Sequence, residues 1–278
     1  MPTSAQPRRG AEDGASVGAD RSPWAFFLLT FVLAVPFLVV GAASGAQLMP
    51  GLPIAGLMFI CPGAAAVVLA WRAGGGAGAA ALLRRVLDAR RIGALWYAPI
   101  LLLKPAIALA CYGVLRLTAS AAPAPQIALV PTLALCAVFL VAAIGEELGW
   151  TGYATDPLQA RWGPLRAGLI LGAVWAAFHF IALGQAHRSV GWIAGWALGT
   201  VATRVIMVWL FNHTGRSVFA AALFHMTINV CWQSFPVRGS YFDPRLDGLF
   251  TALVAVILVA VWRPRSAALI RSAAPPEG

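Results

Sequence analysis

Hydrophobic residues in this chain are grouped into long runs that are separated by short polar segments. Eight of the runs approach or reach the length that a helix needs to cross about 30 Å of hydrocarbon. None shows the alternation of a membrane β-barrel strand, and an open strand edge in lipid would leave backbone groups unpaired. We therefore predict transmembrane helices at 24–44, 50–71, 95–118, 127–147, 166–184, 190–211, 216–235 and 246–262.

The composition supports a bilayer as the solvent. Of 278 residues, 60% are hydrophobic and only 11% are charged. A soluble chain of this size could not bury so much apolar surface. Since no internal repeat is visible, we predict one all-α domain, a polytopic membrane bundle of eight transmembrane helices at 23–265. A disordered cytoplasmic tail is expected at 1–22 and a loose tail at 266–278.

The arginines are distributed unequally between the two ends of the predicted bundle. One end carries Arg8, Arg9, Arg21, Arg72, Arg84, Arg85, Arg90, Arg91, Arg161, Arg166, Arg216, Arg263, Arg265 and Arg271, whereas the other carries Arg188, Arg238 and Arg245. By the positive-inside rule, both termini are cytoplasmic in a multi-pass protein of a bacterial cell membrane. The net charge of +10 is then a topology signal, not a sign of nucleic-acid binding. Segment 81–94 reads as an interfacial amphipathic helix.

Two adjacent carboxylates end the fourth apolar run. Glu146 and Glu147 project about 100° apart on a helix, so they cannot face one small site equally well. One carboxylate could take part in a reaction inside the bundle while a cation or a backbone group binds the other. The alternative is a solvated helix end at which the chain leaves the membrane.

Two histidines in apolar helices have a possible partner one turn away. His179 follows Trp175 by four residues, and His225 precedes Asn229 by four, so each pair shares a helix face. Ionisable groups inside a membrane usually have a partner or a function. The predicted topology lets both histidines meet the carboxylates of the fourth helix, and we expect a pocket that opens to the cytoplasm.

These residue types suit hydrolysis without a covalent intermediate. A carboxylate can take a proton from water, and imidazole and amide groups can stabilise an oxyanion. Alternatively, Glu146, His179 and His225 could bind a zinc ion that activates the water. The HExxH motif of soluble zinc proteases is absent, as is the GxSxG motif of serine hydrolases. No cofactor is certain, and zinc stays open.

Three short motifs occur in order within about 140–232: "EELGWTGYA", "WAAFH" and "HMTIN". Together they resemble the CPBP intramembrane proteases, which include type II CAAX prenyl endopeptidases and bacteriocin-immunity relatives. The resemblance implies an eight-helix membrane bundle with Glu146 as the water-activating base, assisted by His179. It also implies that His225 and Asn229 stabilise the oxyanion, and it leaves metal dependence open.

One position departs from the motif, because Thr151 stands where the family has arginine. Glu147 then lacks an obvious counter-ion, and an unpaired buried carboxylate is costly. We hypothesise that Arg204, in the sixth predicted helix, supplies the missing charge.

The functional prediction is an intramembrane endopeptidase that cleaves a peptide bond near the cytoplasmic membrane surface. Its partners are a membrane-associated peptide or protein substrate and the lipid bilayer, with no nucleic acid. Two other readings stay open: a non-catalytic immunity or scaffold protein, and a proton-coupled transporter. Substitution of Glu146 separates the enzyme from the scaffold.

Overall fold

A computed structural model describes residues 22–49, 52–118 and 123–271, with side chains as far as 261. Apart from Ser22, the predicted tails at 1–22 and 266–278 lie outside the residues whose side chains are described. The described residues form eight α-helices: α1 (Pro23–Ser44), α2 (Ile60–Arg84), α3 (Tyr97–Thr118), α4 (Leu129–Gly149), α5 (Thr155–Gln185), α6 (Val190–His213), α7 (Val218–Ser234) and α8 (Pro244–Arg271).

The prediction of a polytopic helical membrane bundle is confirmed. Six helical stretches of the described chain are long and apolar enough to cross a membrane. One of them, Leu129–Gln185, is a continuous stretch of 57 residues that contains two of the predicted spans. Helix α7 has only 17 residues and is short for a crossing. The number of eight crossings therefore stays a prediction.

Two local predictions are wrong. The second span does not begin at 50, because Gln47–Met49 and Leu52–Pro53 pair as a short antiparallel hairpin and a 3-10 turn, Ile54–Phe59, precedes α2. Pro53 favours this non-helical segment before α2, since proline cannot donate a backbone hydrogen bond and its ring fixes φ. Segment 81–94 is likewise not one amphipathic helix. The chain leaves α2 at Arg84 and continues through short 3-10 turns to α3.

Serine caps and a glycine kink set the helix boundaries around the site. The Ser189 and Ser217 hydroxyls accept hydrogen bonds from backbone N–H groups in the first turns of α6 and α7. A π-helical turn, Trp150–Ala154, joins α4 to α5 and buries every residue that it contains. Gly163 interrupts α5 with φ 74°, directly before Pro164, and divides the helix into a short entry segment and a long span.

Helix α4 packs against α2 and α7, while α6 packs against α5 and α8. Close approach between α2 and α4 depends on Gly149. A Cβ atom at Gly149 would lie 2.4 Å from the carbonyl oxygen of Pro62, which is nearer than real Cβ contacts allow. The carboxylates at the end of α4 are therefore held against neighbouring backbone rather than left at a free helix end.

Candidate active site

Glu146 lies in the wall of a cavity of about 380 Å³. Its side chain is almost completely buried, and its Oε2 accepts hydrogen bonds from the indole N–H of Trp175 at 2.9 Å and of Trp150 at 3.3 Å. Its Oε1 lies 3.9 Å from Nε2 of His225. The interpretation of this pair as a solvated helix end is therefore wrong, and Glu146 presents one carboxylate oxygen toward an imidazole.

Glu147 is fully buried and is surrounded by donors. Arg204 binds it at two points, with Nη1 2.7 Å from Oε2 and Nη2 3.1 Å from Oε1. Nδ1 of His225 lies 2.9 Å from Oε1, and the Thr151 hydroxyl donates to Oε2. The two adjacent glutamates thus differ in environment. Glu147 is bound by cationic and hydroxyl groups inside the protein, and Glu146 borders the cavity.

Arg204 occupies the position that the sequence hypothesis gave it. Its guanidinium is inaccessible to solvent, and its Nη1 lies 3.5 Å from the Thr151 hydroxyl oxygen. Thr151 follows Glu147 by four residues, so an arginine at that position would reach Glu147 along one helix face. In this chain the guanidinium comes from α6 and the smaller threonine fills the space on the helix that bears the carboxylate.

Trp175 connects the charged groups of the site. Its ring packs edge-on against the imidazole of His225, with centroids 5.1 Å apart, and the guanidinium of Arg204 lies 4.2 Å from its ring centroid. A cation over an indole face is attracted by the ring quadrupole. Since the same indole donates to Glu146, Trp175 contacts Glu146, His225 and Arg204 and holds them relative to one another.

His179 and Asn229 complete the polar wall of the cavity. Nδ1 of His179 lies 2.8 Å from the carbonyl oxygen of Trp175, one turn earlier, which places the proton on Nδ1. The His179 ring also packs against Trp196 at 5.3 Å. Asn229 lies one turn after His225 on the same face of α7. The structure thus brings all five candidate catalytic residues to one place: Glu146 and Glu147 on α4, His179 on α5, and His225 and Asn229 on α7.

Sequence reasoning missed two contributors. Trp150 is fully buried and donates to Glu146; its spacing of four residues from Glu146 is the signal that could have identified it. The second is a buried ion pair in the cavity wall. Nζ of Lys104 lies 2.6 Å and 2.7 Å from the carboxylate oxygens of Asp247. Asp247 lies at the start of the last span, so the chain pattern alone does not pair it with Lys104.

The cavity extends away from the arginine-rich end of the bundle. On α5 its lining runs from Trp175 to Leu183, on α7 from His225 to Trp232, and on α4 from Glu146 back to Val138. All of these directions lead toward the hairpin between α1 and α2 and the loops 186–189 and 235–243. The lining therefore extends away from the end at which the sequence predicts an opening, and cleavage near the cytoplasmic membrane surface stays a prediction.

The arginine-rich end is closed by buried residues and ion pairs. The turn Trp150–Ala154 lies directly behind the two glutamates. Outside it, Arg85 pairs with Asp156 at 3.0 Å and also donates to the carbonyl of Gly152, while Arg216 pairs with the same aspartate. These contacts bind the α4–α5 connection to the segments around it, so the carboxylates are separated from this surface.

The residues of the possible zinc site do not fit a metal. Within the described residues, no three His, Cys, Asp or Glu side chains converge closely enough to hold an ion. Zinc requires ligand atoms at about 2.0–2.2 Å in a tetrahedral arrangement. No step of the reaction proposed below therefore uses a metal ion.

Comparison with known proteins agrees with the motifs. Residues 128–231 match the family described as type II CAAX prenyl endopeptidase Rce1-like. A protein of Methanococcus maripaludis named CAAX prenyl protease 2 is 29% identical over 137 residues, which are 46% of this chain and 49% of the relative. The aligned part thus spans about half the length of that curated relative. The resemblance to the CPBP intramembrane proteases is therefore confirmed over the segment that carries Glu146, His179 and His225.

Proposed function

We propose that this protein is an intramembrane endopeptidase in which Glu146 activates the attacking water. The observation that carries the proposal is the contrast between the two glutamates. Glu147 is bound by Arg204 and His225, whereas Glu146 borders the cavity with Oε1 only 3.9 Å from Nε2 of His225. A base must be within hydrogen-bond reach of the proton that it removes, and Glu146 alone of the pair borders a space where water and a peptide fit.

Glu146 takes a proton from the water, and the resulting hydroxide attacks the carbonyl carbon of the scissile peptide bond. The Trp175 and Trp150 indoles hold the other carboxylate oxygen, so Oε1 is the oxygen that acts. The C–N bond then breaks, and the departing nitrogen takes the proton from Glu146. Glu146 thereby returns to its ionised form, and the products are a new carboxyl terminus and a new amino terminus.

In the proposed reaction, His225 and Asn229 stabilise the negative charge on the carbonyl oxygen during attack. Because Nδ1 of His225 is bound to Glu147, its Nε2 faces the side where Glu146 lies. Only an imidazolium, with a proton on each ring nitrogen, can bind Glu147 through Nδ1 and also donate from Nε2 to an oxyanion. The Asn229 amide can donate as well, and such interactions gain strength where water is excluded. Loss of one such donor costs about 100- to 1,000-fold in kcat in well-studied hydrolases. His179 is the further group in reach of the cavity and assists the base.

The substrate we propose is a membrane-associated peptide, with lipid as the surrounding medium. The family match and the name of the archaeal relative indicate a CAAX-type peptide as the first probe. The cavity wall is largely apolar, with Leu48, Leu52, Trp196, Trp232 and Phe242 around the polar groups. Such a wall suits an extended apolar peptide with or without an attached prenyl chain.

The test compares Glu146→Gln with the unaltered protein, both purified and reconstituted in nanodiscs. Farnesylated and unmodified fluorescence-quenched CAAX peptides serve as probes, with mass spectrometry of the products. We expect Glu146→Gln to abolish cleavage and to unfold at the same temperature as the parent. Asp243→Asn, at a half-exposed loop carboxylate, is the matched control and should retain cleavage.

The second candidate function is a non-catalytic immunity or scaffold protein of the same family. This function predicts that neither the unaltered protein nor Glu146→Gln cleaves any of the peptide probes. It also predicts that Glu146→Gln leaves peptide binding unchanged. Cleavage by the parent that persists in Glu146→Gln would overturn the assignment of the base, and complete absence of cleavage in the parent would favour the scaffold.

A further inference from the structure

Leucine side chains point outward along the segment that connects α2 to α3. Leu83 is 46% exposed, Leu87 is 79% exposed and Leu95 is 89% exposed. The segment joins two stretches that are long and apolar enough to cross a membrane, Ile54–Leu87 and Ala94–Thr118. The exposed leucines therefore lie where the chain passes from one span to the next, at a surface of the bilayer, and their side chains reach the edge of its hydrocarbon.

Positive charge lies among these leucines. Arg84 and Arg90 are exposed, and within the described part of the chain neither side chain has a hydrogen bond or an ion pair. The acidic residues described at this end, Asp88 and Asp156, are both bound inside the protein, to Ser217 and Arg85. The exposed charge of this surface is therefore positive. Further exposed arginines at the same end are Arg72, Arg91, Arg161 and Arg166.

We infer that this interfacial surface, formed by Leu83, Arg84, Leu87, Arg90 and Leu95, binds the headgroups of anionic phospholipids. The leucines enter the edge of the hydrocarbon, while each guanidinium reaches the phosphates on its long aliphatic stem. A planar guanidinium matches two phosphate oxygens at once. A zwitterionic headgroup carries its own cation beside the phosphate, so a headgroup with net negative charge is the better partner for two exposed arginines.

Two other residues of the segment connect this interfacial surface to the helices that carry the candidate catalytic groups. Arg85 donates to the carbonyl of Gly152, in the turn that follows the two glutamates of α4. Asp88 accepts from the Ser217 hydroxyl at 2.8 Å, and Ser217 caps α7, the helix of His225. A headgroup that holds the segment also holds these contacts. Because a ligand of the folded state stabilises that state, lipid binding should raise the unfolding temperature.

Thermal unfolding in nanodiscs tests lipid binding without any catalysis. One set of discs contains phosphatidylcholine alone, and the other contains an equal mixture of phosphatidylcholine and phosphatidylglycerol. The unaltered protein is compared with the double variant Arg84→Gln/Arg90→Gln. The matched control is Arg116→Gln/Arg238→Gln, which removes two exposed arginines at the other end of the bundle and so loses the same charge. The quantity compared is the difference in unfolding temperature between the two lipid compositions.

We expect phosphatidylglycerol to raise the unfolding temperature of the unaltered protein and of the control by about 2–4 °C for each engaged arginine. Arg84→Gln/Arg90→Gln should lose most of this rise. Salt at about 1 M should also remove the difference between the lipids, because the Debye length falls to about 3 Å. A full rise in Arg84→Gln/Arg90→Gln, or no rise in the unaltered protein, would overturn the inference. Failure of that variant to fold in phosphatidylcholine would do the same, since the two arginines would then serve contacts within the protein.

Discussion

Arg204 and Glu147 form a two-point ion pair between α6 and α4, although they are 57 residues apart in the chain, and neither side chain is accessible to solvent. Thr151 stands at the position where the related motif carries arginine, and Arg204 supplies a cation to Glu147 in this chain. Arginine suits this task, since its planar guanidinium matches a carboxylate at two points.

We expect Arg204→Ala to destabilise the protein by about 3–5 kcal/mol, because it leaves the buried Glu147 without a cation. Thermal unfolding in detergent measures the loss. Arg166→Ala, which removes an exposed arginine of α5, is the matched control and should have little effect. The double variant Thr151→Arg/Arg204→Ala should recover part of the stability. An Arg204→Ala protein that folds and cleaves like its parent would contradict the pairing.

Trp175→Phe should lower kcat about 10- to 100-fold, since it keeps a ring in place but removes the N–H that Glu146 accepts. A hydrogen bond to a charged group is worth about 1.5–3 kcal/mol, and each 1.4 kcal/mol is tenfold in rate. Trp150→Phe should have a smaller effect, because its bond is longer at 3.3 Å. Trp162→Phe, which changes a ring packed against Trp24, serves as the control. Equal kcat in all three variants would argue against the role of the indoles.

Lys104→Met should destabilise the fold, because Asp247 is then a buried carboxylate without its partner. Replacing both residues, as Lys104→Met/Asp247→Leu, should restore most of the loss, since apolar pairs often replace buried ion pairs at little cost. A double-mutant cycle on the unfolding free energy measures the coupling. If the two single effects simply add, the pair contributes nothing as a pair.

Gly149→Ala should lower the unfolding temperature, because the new Cβ atom would lie 2.4 Å from the Pro62 carbonyl oxygen and force α2 and α4 apart. Overpacking of this kind costs roughly 1–3 kcal/mol. Gly113→Ala is the matched control in α3, where a Cβ atom meets nothing within 4 Å. Alanine has the better helix propensity, so Gly113→Ala should be neutral or slightly stabilising. Equal changes in unfolding temperature at the two glycines would show that the contact between α2 and α4 leaves room for a Cβ atom at Gly149.

Treatment with 1,10-phenanthroline should leave peptide cleavage intact, because the described histidines and acidic residues do not form a three-ligand metal site. Metal analysis of the active protein accompanies the assay. Loss of cleavage that zinc restores, together with stoichiometric zinc in the purified protein, would reverse this expectation and return Glu146, His179 and His225 to the role of ligands.

The chain pattern predicted much of the site because its groups lie in strong local motifs. Glu146 and Glu147 are adjacent, and His225 with Asn229 are one turn apart, so their helix faces follow from 3.6 residues per turn. The contact of Lys104 with Asp247 could not be predicted in this way, because 143 residues separate them and no local rule relates α3 to α8. The hairpin before α2 also escaped the hydrophobicity pattern, since short apolar runs with proline fit either a strand or a helix.

The sequence by itself determined that the chain is a helical membrane bundle, that arginines mark one end, and that two carboxylates and two histidines lie in apolar helices. Hydrophobic length, helical period and the positive-inside rule are local or additive properties, so they can be read along the chain. Only the tertiary structure decided which glutamate is bound by Arg204, that Trp175 joins the charged groups, and that the cavity extends away from the arginine-rich end. Those outcomes depend on how helices pack around one another, and side chains far apart in sequence become neighbours only through that packing.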